Sequence, residues 1–85
     1  MEKKRRVIKK NEFISFGGSV RKFRTSLGLS QEELAFKTGL DRTYISGVER
    51  GIRNISLRNI LLIANALKIH PSFLFNIDDE NIIRK

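Results

Sequence analysis

The sequence predicts an all-α fold, a compact domain of five helices with two of them joined as a helix-turn-helix. Three observations predict it. Apolar residues recur at helical spacing in each segment of residues 12–76. Helix starts and stops punctuate those segments: Ser30, Asp41 and Ser56 stand at starts, and Gly28, Gly39 and Gly51 at stops. The chain has 85 residues, enough for one domain whose core is marginal alone.

Residues 1–11 carry KKRR and then KK around Val7 and Ile8, with few apolar side chains. They form a basic arm or helical extension, either a solubilising tail or an arm that touches phosphate or the minor groove. The domain proper spans residues 12–76. Its first helix runs from about residue 12 or 14 to 27 and places Phe16, Val20, Phe23 and Leu27 on one buried stripe. Gly17 and Gly18 weaken that helix but admit a close neighbour.

The second helix starts at Gln31. Ser30 and Glu33 have the S-x-x-E spacing of a capping box. Leu34, Ala35 and Thr38 share one face, and Gly39 ends the helix by accepting a positive φ. Gln31 stands at the positive end of this helix dipole, a natural phosphate site. Asp41 caps the third helix, with its charge placed to suit the dipole. The short connection forces the two helices to cross sharply.

On the third helix Ile45 and Val48 face inward, while Thr43, Ser46, Gly47 and Arg50 face outward. A small, polar, basic face lets a helix backbone approach a DNA groove, although a solvated helical hairpin has the same pattern. Arg42, at the N-terminal end, is the first candidate for reading a base, and guanine best matches its forked donors. Thr43 suits a thymine methyl or a base edge. The Tyr44 hydroxyl suits a phosphate, unless the ring packs partly into the core. Ser46 suits base or phosphate, Gly47 gives clearance, and Arg50 suits phosphate. Arg53 and Asn54 follow in the loop GIRNI, where loops at the groove edge meet the sugar–phosphate backbone.

Ser56 caps the fourth helix, whose stripe is Leu57, Ile60, Leu61, Ala64 and Leu67, with Leu62 and Ile63 outside its centre. Pro71 opens a fifth helix at its first position, with His70 as a cap residue. Ile69, Phe73, Leu74 and Phe75 exceed what one small core needs. They predict a symmetric homodimer through this helix and the end of the fourth, the alternative being that all of them fill a monomer core. The tail, residues 77–85, contains DDE and then Ile82 and Ile83.

Charge points the same way. Seventeen Lys and Arg face nine Asp and Glu, a net charge of +8. Residues 1–29 hold nine basic and two acidic groups, whereas residues 59–85 hold three of each. A positive field concentrated on one part of the chain fits a polyanion partner. The longest strictly apolar run, residues 60–64, is too short to span a membrane. Cysteine is absent, so no disulfide or thiolate metal site is expected. One His, no phosphate-cradling glycine loop and no paired carboxylates argue against an enzyme. No cofactor, metal or small-molecule ligand is expected. With no signal-peptide core after the basic start, a cytoplasmic protein is expected.

From about residue 16 to 75 the chain resembles the lambda-repressor-like (XRE-type) helix-turn-helix family. The residues that carry the resemblance are FGGSVRKFRTSLGLSQEELA, the Gly39 turn, and VERG followed by NISLRNILLIANAL. Ala35 falls at the close helix contact, and Ile45 and Val48 in the core. Within that family LDRTYISGVERGIRNIS looks most like the controller proteins of bacterial restriction–modification systems. The resemblance implies an ion pair between Arg24 and Glu49 that ties the first helix to the recognition helix. It also implies that Gln31 touches the DNA backbone and braces the recognition helix, and it supports Arg53 and Asn54 as DNA contacts. The implied function is transcription regulation by a dimer on a pseudo-palindromic double-stranded operator, with two dimers on neighbouring sites. A phage or developmental repressor of the same fold, and an antitoxin-like or bridging module with a protein partner, are the alternatives.

Overall fold

The computed structural model describes residues 10–75. Most of the expected arm and the tail at 77–85 lie outside these residues. Four α-helices follow one another: α1 (Lys10–Ser26), α2 (Gln31–Thr38), α3 (Arg42–Glu49) and α4 (Leu57–Leu67). The expected fifth helix is a 3-10 turn, Pro71–Phe75. The Phe73 N–H returns to the His70 carbonyl three residues back at 3.0 Å, so this short segment closes as a tighter turn instead of an α-helix. His70 does cap it: its Nδ1 accepts the Ser72 N–H at 3.2 Å.

Helix α1 starts at Lys10, inside the segment expected to be an arm or a helical extension. Phe16 and Val20 are buried and Phe23 packs against the core, but Leu27 is 48 % exposed. The helix has ended at Ser26, so Leu27 falls in the turn and no longer lies on the stripe. Leu29, two residues on, packs against the core instead. In α2 the capping box closes: the Ser30 hydroxyl accepts the Glu33 N–H at 2.9 Å, and the Glu33 carboxylate accepts the Ser30 N–H at 2.8 Å. Leu34, Ala35 and Thr38 are buried, and Gly39 takes a φ of 76°. Asp41 has the extended backbone of an N-cap but makes no side-chain cap bond, so its contribution at α3 is one of charge.

The apolar stripe of α4 is rotated from the expected one. Ile60, Ile63, Ala64 and Leu67 are buried, whereas Leu57 is 70 % and Leu61 48 % exposed. The helix is apolar on more than one side, so its periodicity allowed two centrings. Packing against α2, α1 and the 3-10 turn selects the Ile63 side. The core joins these residues to Leu34, Ile45, Val48 and Leu74. Leu74 is therefore a correction to the expected dimer surface: it is fully buried within one chain.

Helix α1 packs on α3 at very short range. A Cβ built on Gly17 would lie 2.2 Å from the Val48 carbonyl oxygen and 2.6 Å from that of Glu49. Gly18, next to it, has nothing within 4 Å. Opposite outcomes are expected. Gly17→Ala must push two backbones apart and lower stability by about 1–3 kcal/mol or more. Gly18→Ala should raise stability by about 0.5–1 kcal/mol through helix propensity. Thermal melts of the two variants test this, since 1 kcal/mol moves the midpoint of a domain this size by about 4–8 °C.

Candidate nucleic-acid interface

The site begins with a buried charge. Glu49, the last residue of α3, is 8 % exposed, as is Arg24 in the last turn of α1. Arg24 donates through Nε to Glu49 Oε2 at 2.6 Å and through Nη2 to Oε1 at 3.0 Å. Its Nη1 donates to the Leu29 carbonyl at 2.8 Å, so the turn that displaces Leu27 also gives the guanidinium a third acceptor. The hydrogen bonds that Arg24 donates to Glu49 raise the Arg24 pKa above its ordinary value against the opposing effect of burial. A bidentate pair of this kind is geometrically specific as well as strong.

Gln31 extends the network outward. Its Nε2 donates to Glu49 Oε1 at 3.0 Å. The carboxylate can only accept, so the amide oxygen is turned away from it. That oxygen faces Arg42, whose Nη1 lies at 3.5 Å, a long and weak contact that strong competition would break. Arg42 thus stands exposed at the N-terminal end of α3, beside the N-terminus of α2.

The remaining candidates are distributed along α3 and the loop after it. Thr43 and Arg50 are exposed, and Ser46 is half-buried. Tyr44 is half-buried against the core, and its hydroxyl oxygen accepts from Asn59 Nδ2 at 3.1 Å. Arg53 is exposed, with its guanidinium 5.1 Å from the centre of the Tyr44 ring. Gly47, expected on the open face, is buried because the Arg53 stem lies over it; a Cβ there would meet Arg53 Cγ at 2.8 Å. Asn54 is exposed and lines an apolar cleft of about 210 Å³ with Phe13, Phe16, Ile60 and Phe75. The structure thus gathers Gln31 with Arg42, and Tyr44 with Arg53, and sets Asn54 at that separate cleft. Sequence reasoning missed Asn59 and the Leu29 carbonyl. The one available signal for Asn59 was its place three residues after Ser56, where a capping box would have Glu or Gln.

Two short helices meeting at a Gly39 turn, the second exposing a basic face, make a helix-turn-helix. The family described as helix-turn-helix matches residues 20–74. The chain belongs to this family. Among its helix-turn-helix relatives, control protein C.BamHI of Bacillus amyloliquefaciens is 52 % identical over 62 residues, covering 72 % of this chain and 76 % of that protein. The crystal structure of the restriction-modification controller protein C.AhdI from Aeromonas hydrophila matches with a TM-score of 0.76 and 57 % identity, covering 76 % of this chain and 98 % of that one. A third relative, the controller protein C.Esp1396I, was solved as a tetramer in complex with its natural 35 base-pair operator. It matches with a TM-score of 0.67 and 39 % identity, over 74 % of this chain and 84 % of that one. These relatives place the chain among the restriction–modification control proteins. Among the described residues no helix is long and apolar enough to cross a membrane.

Removing one partner of the buried pair strands the other. Arg24→Ala and Glu49→Ala should each lower stability by about 3–5 kcal/mol. Gln31→Ala leaves Glu49 with both Arg24 donors and should lower it by less, about 1.5–3 kcal/mol, the scale of one hydrogen bond to a charged group. Denaturant unfolding of the three variants checks the ranking.

Proposed function

We propose that this chain is a sequence-specific DNA-binding transcription regulator that controls restriction–modification genes, acting as a homodimer on a pseudo-palindromic operator. The observation that carries this reading is Arg42, exposed at the N-terminal end of α3 beside Gln31, whose amide is itself held by buried Glu49. An exposed fork of donors there suits the O6 and N7 acceptors of guanine in the major groove. Arg42 is assigned base reading, Thr43 and Ser46 base or phosphate contacts, and Arg50 phosphate. Arg53 and Asn54 are assigned to the backbone at the groove edge, with Arg53 able to reach a base edge.

Dimerisation supplies the second reading head. Leu61 on α4 and Phe73 and Phe75 on the 3-10 turn are about half exposed, apolar and close to Ile69 in sequence. Pairing of that surface about a two-fold axis would bury it and set two copies of α3 about one helical turn of DNA apart. Two such dimers on neighbouring sites would make regulation depend on occupancy, and the protein would work in the cytoplasm. None of this requires catalysis, and the single His is used as a cap.

Selection of bound duplexes from a random library at about 150 mM salt is expected to recover a two-fold symmetric site. Arg42→Ala should then weaken binding by about 1–3 kcal/mol and relax the preference at one position per half-site. Arg50→Ala should instead weaken all duplexes alike and reduce the slope of affinity against salt by about one. Sedimentation at tens of micromolar should give a dimer. A monomer, or recovery of no preferred site, defeats the reading.

A further inference from the structure

Asn59 holds a helix position where a reciprocal cap is usual, and its amide is used for something else. Helix α4 starts on Ser56, whose hydroxyl accepts the Asn59 N–H at 3.1 Å. The equivalent residue of α2, Glu33, reaches back to its own cap. The Asn59 side chain instead crosses to α3 and donates to the Tyr44 hydroxyl oxygen at 3.1 Å. That bond anchors a ring whose face carries the Arg53 guanidinium at 5.1 Å. On the other side, Arg53 Cγ and Nε lie where a side chain on Gly47 would be, at 2.8 and 3.2 Å from its Cβ position. The ring gives Arg53 an attractive seat, and the glycine gives it room. An exposed loop arginine without a seat samples many rotamers, and ordering it before DNA arrives removes an entropy cost from binding.

We propose that Asn59 is a positioning residue for DNA reading: by fixing the Tyr44 ring it presets Arg53 against Gly47 and so sets the base preference at the position Arg53 reaches. This rests on the reading of the chain as a sequence-specific DNA binder. It gives Tyr44 the role of a platform more than of a phosphate contact. It also explains why a chain with several outward arginines would treat Arg53 differently from Arg50, which has no such seat.

The test changes each base pair of a selected half-site in turn and measures equilibrium binding of wild type, Tyr44→Phe, Asn59→Ala and Gly47→Ala. Tyr44→Phe and Asn59→Ala, which free the ring but keep its face, should both lower discrimination at the same base pair, by about fivefold at most, the scale of an exposed cation–π contact. The other positions should be unchanged, and the double variant should add nothing. Gly47→Ala, which displaces Arg53 from the opposite side, should alter the preference at that same base pair. Uniform weakening by Tyr44→Phe with no effect of Asn59→Ala overturns the proposal, because Tyr44 would then be a phosphate contact. A second measurement needs no DNA. In the free protein the Arg53 Nε–H resonance should be shifted upfield by the Tyr44 ring, and the shift should shrink in Asn59→Ala while the melt shows a folded domain. An unshifted Arg53 in the wild type overturns the proposal. Recovery of no preferred duplex would defeat the proposed function instead, and the resonance would still decide where Arg53 sits.

Discussion

The Glu49 carboxylate is the constraint on which the rest of the structure depends. It is an anion taken out of water, and such a group is tolerated only when its lone pairs are met by donors of good geometry. Three donors meet it, two from Arg24 and one from Gln31. They come from two different helices, α1 and α2, while Glu49 ends a third. The carboxylate therefore specifies how three helices sit relative to one another, which apolar contacts alone would leave looser. A buried pair of this kind contributes uncertain net stability, because desolvation offsets the attraction. Its clearer consequence is that a wrong arrangement of the helices leaves a charge stranded.

The same residue lies at a close backbone approach between α1 and α3. Gly17 lets α1 come within touching distance of the carbonyls of Val48 and Glu49, so the helix carrying Arg24 is near enough to form a bidentate pair. The surface consequences follow outward. Gln31 is oriented because one end of its amide is committed to Glu49, and Arg42 meets the end left over. Further along the face, Tyr44 and the absence of a side chain at Gly47 give Arg53 a defined place. The outward face of α3 is thus approached from beneath by buried and half-buried groups, and a rigid presentation is what lowers the entropy lost on binding.

The local features were the most legible. The capping box at Ser30 and Glu33, the Gly39 turn, the Ser56 cap and the His70–Pro71 start depend on interactions within a few residues, and each takes the place that spacing implied. The short connection between α2 and α3 carried the helix-turn-helix with it. The candidate site was legible as a set of residue types, but not as a set of contacts. Nothing at Tyr44 told whether its hydroxyl met solvent or Asn59, since that depends on where α4 lies. Nothing in the outward projection of Gly47 told that Arg53 would cover it, since the loop's path is set by the packing below it.

The sequence by itself determined that the chain is helical, where its helices cap and stop, which charges are concentrated on it, and which family it resembles. These follow from short-range hydrogen bonding, conformational preference and composition. Only the tertiary structure decided which side of α4 is buried, that Leu27 and Leu57 stay exposed, that Leu74 belongs to one chain's core, and that the last helical segment is a 3-10 turn. The reason is physical. An apolar helix with more than one candidate face has no preference until a neighbour fills one of them, and the neighbours of α4 come from α1, α2 and the 3-10 turn, segments separate from it in sequence.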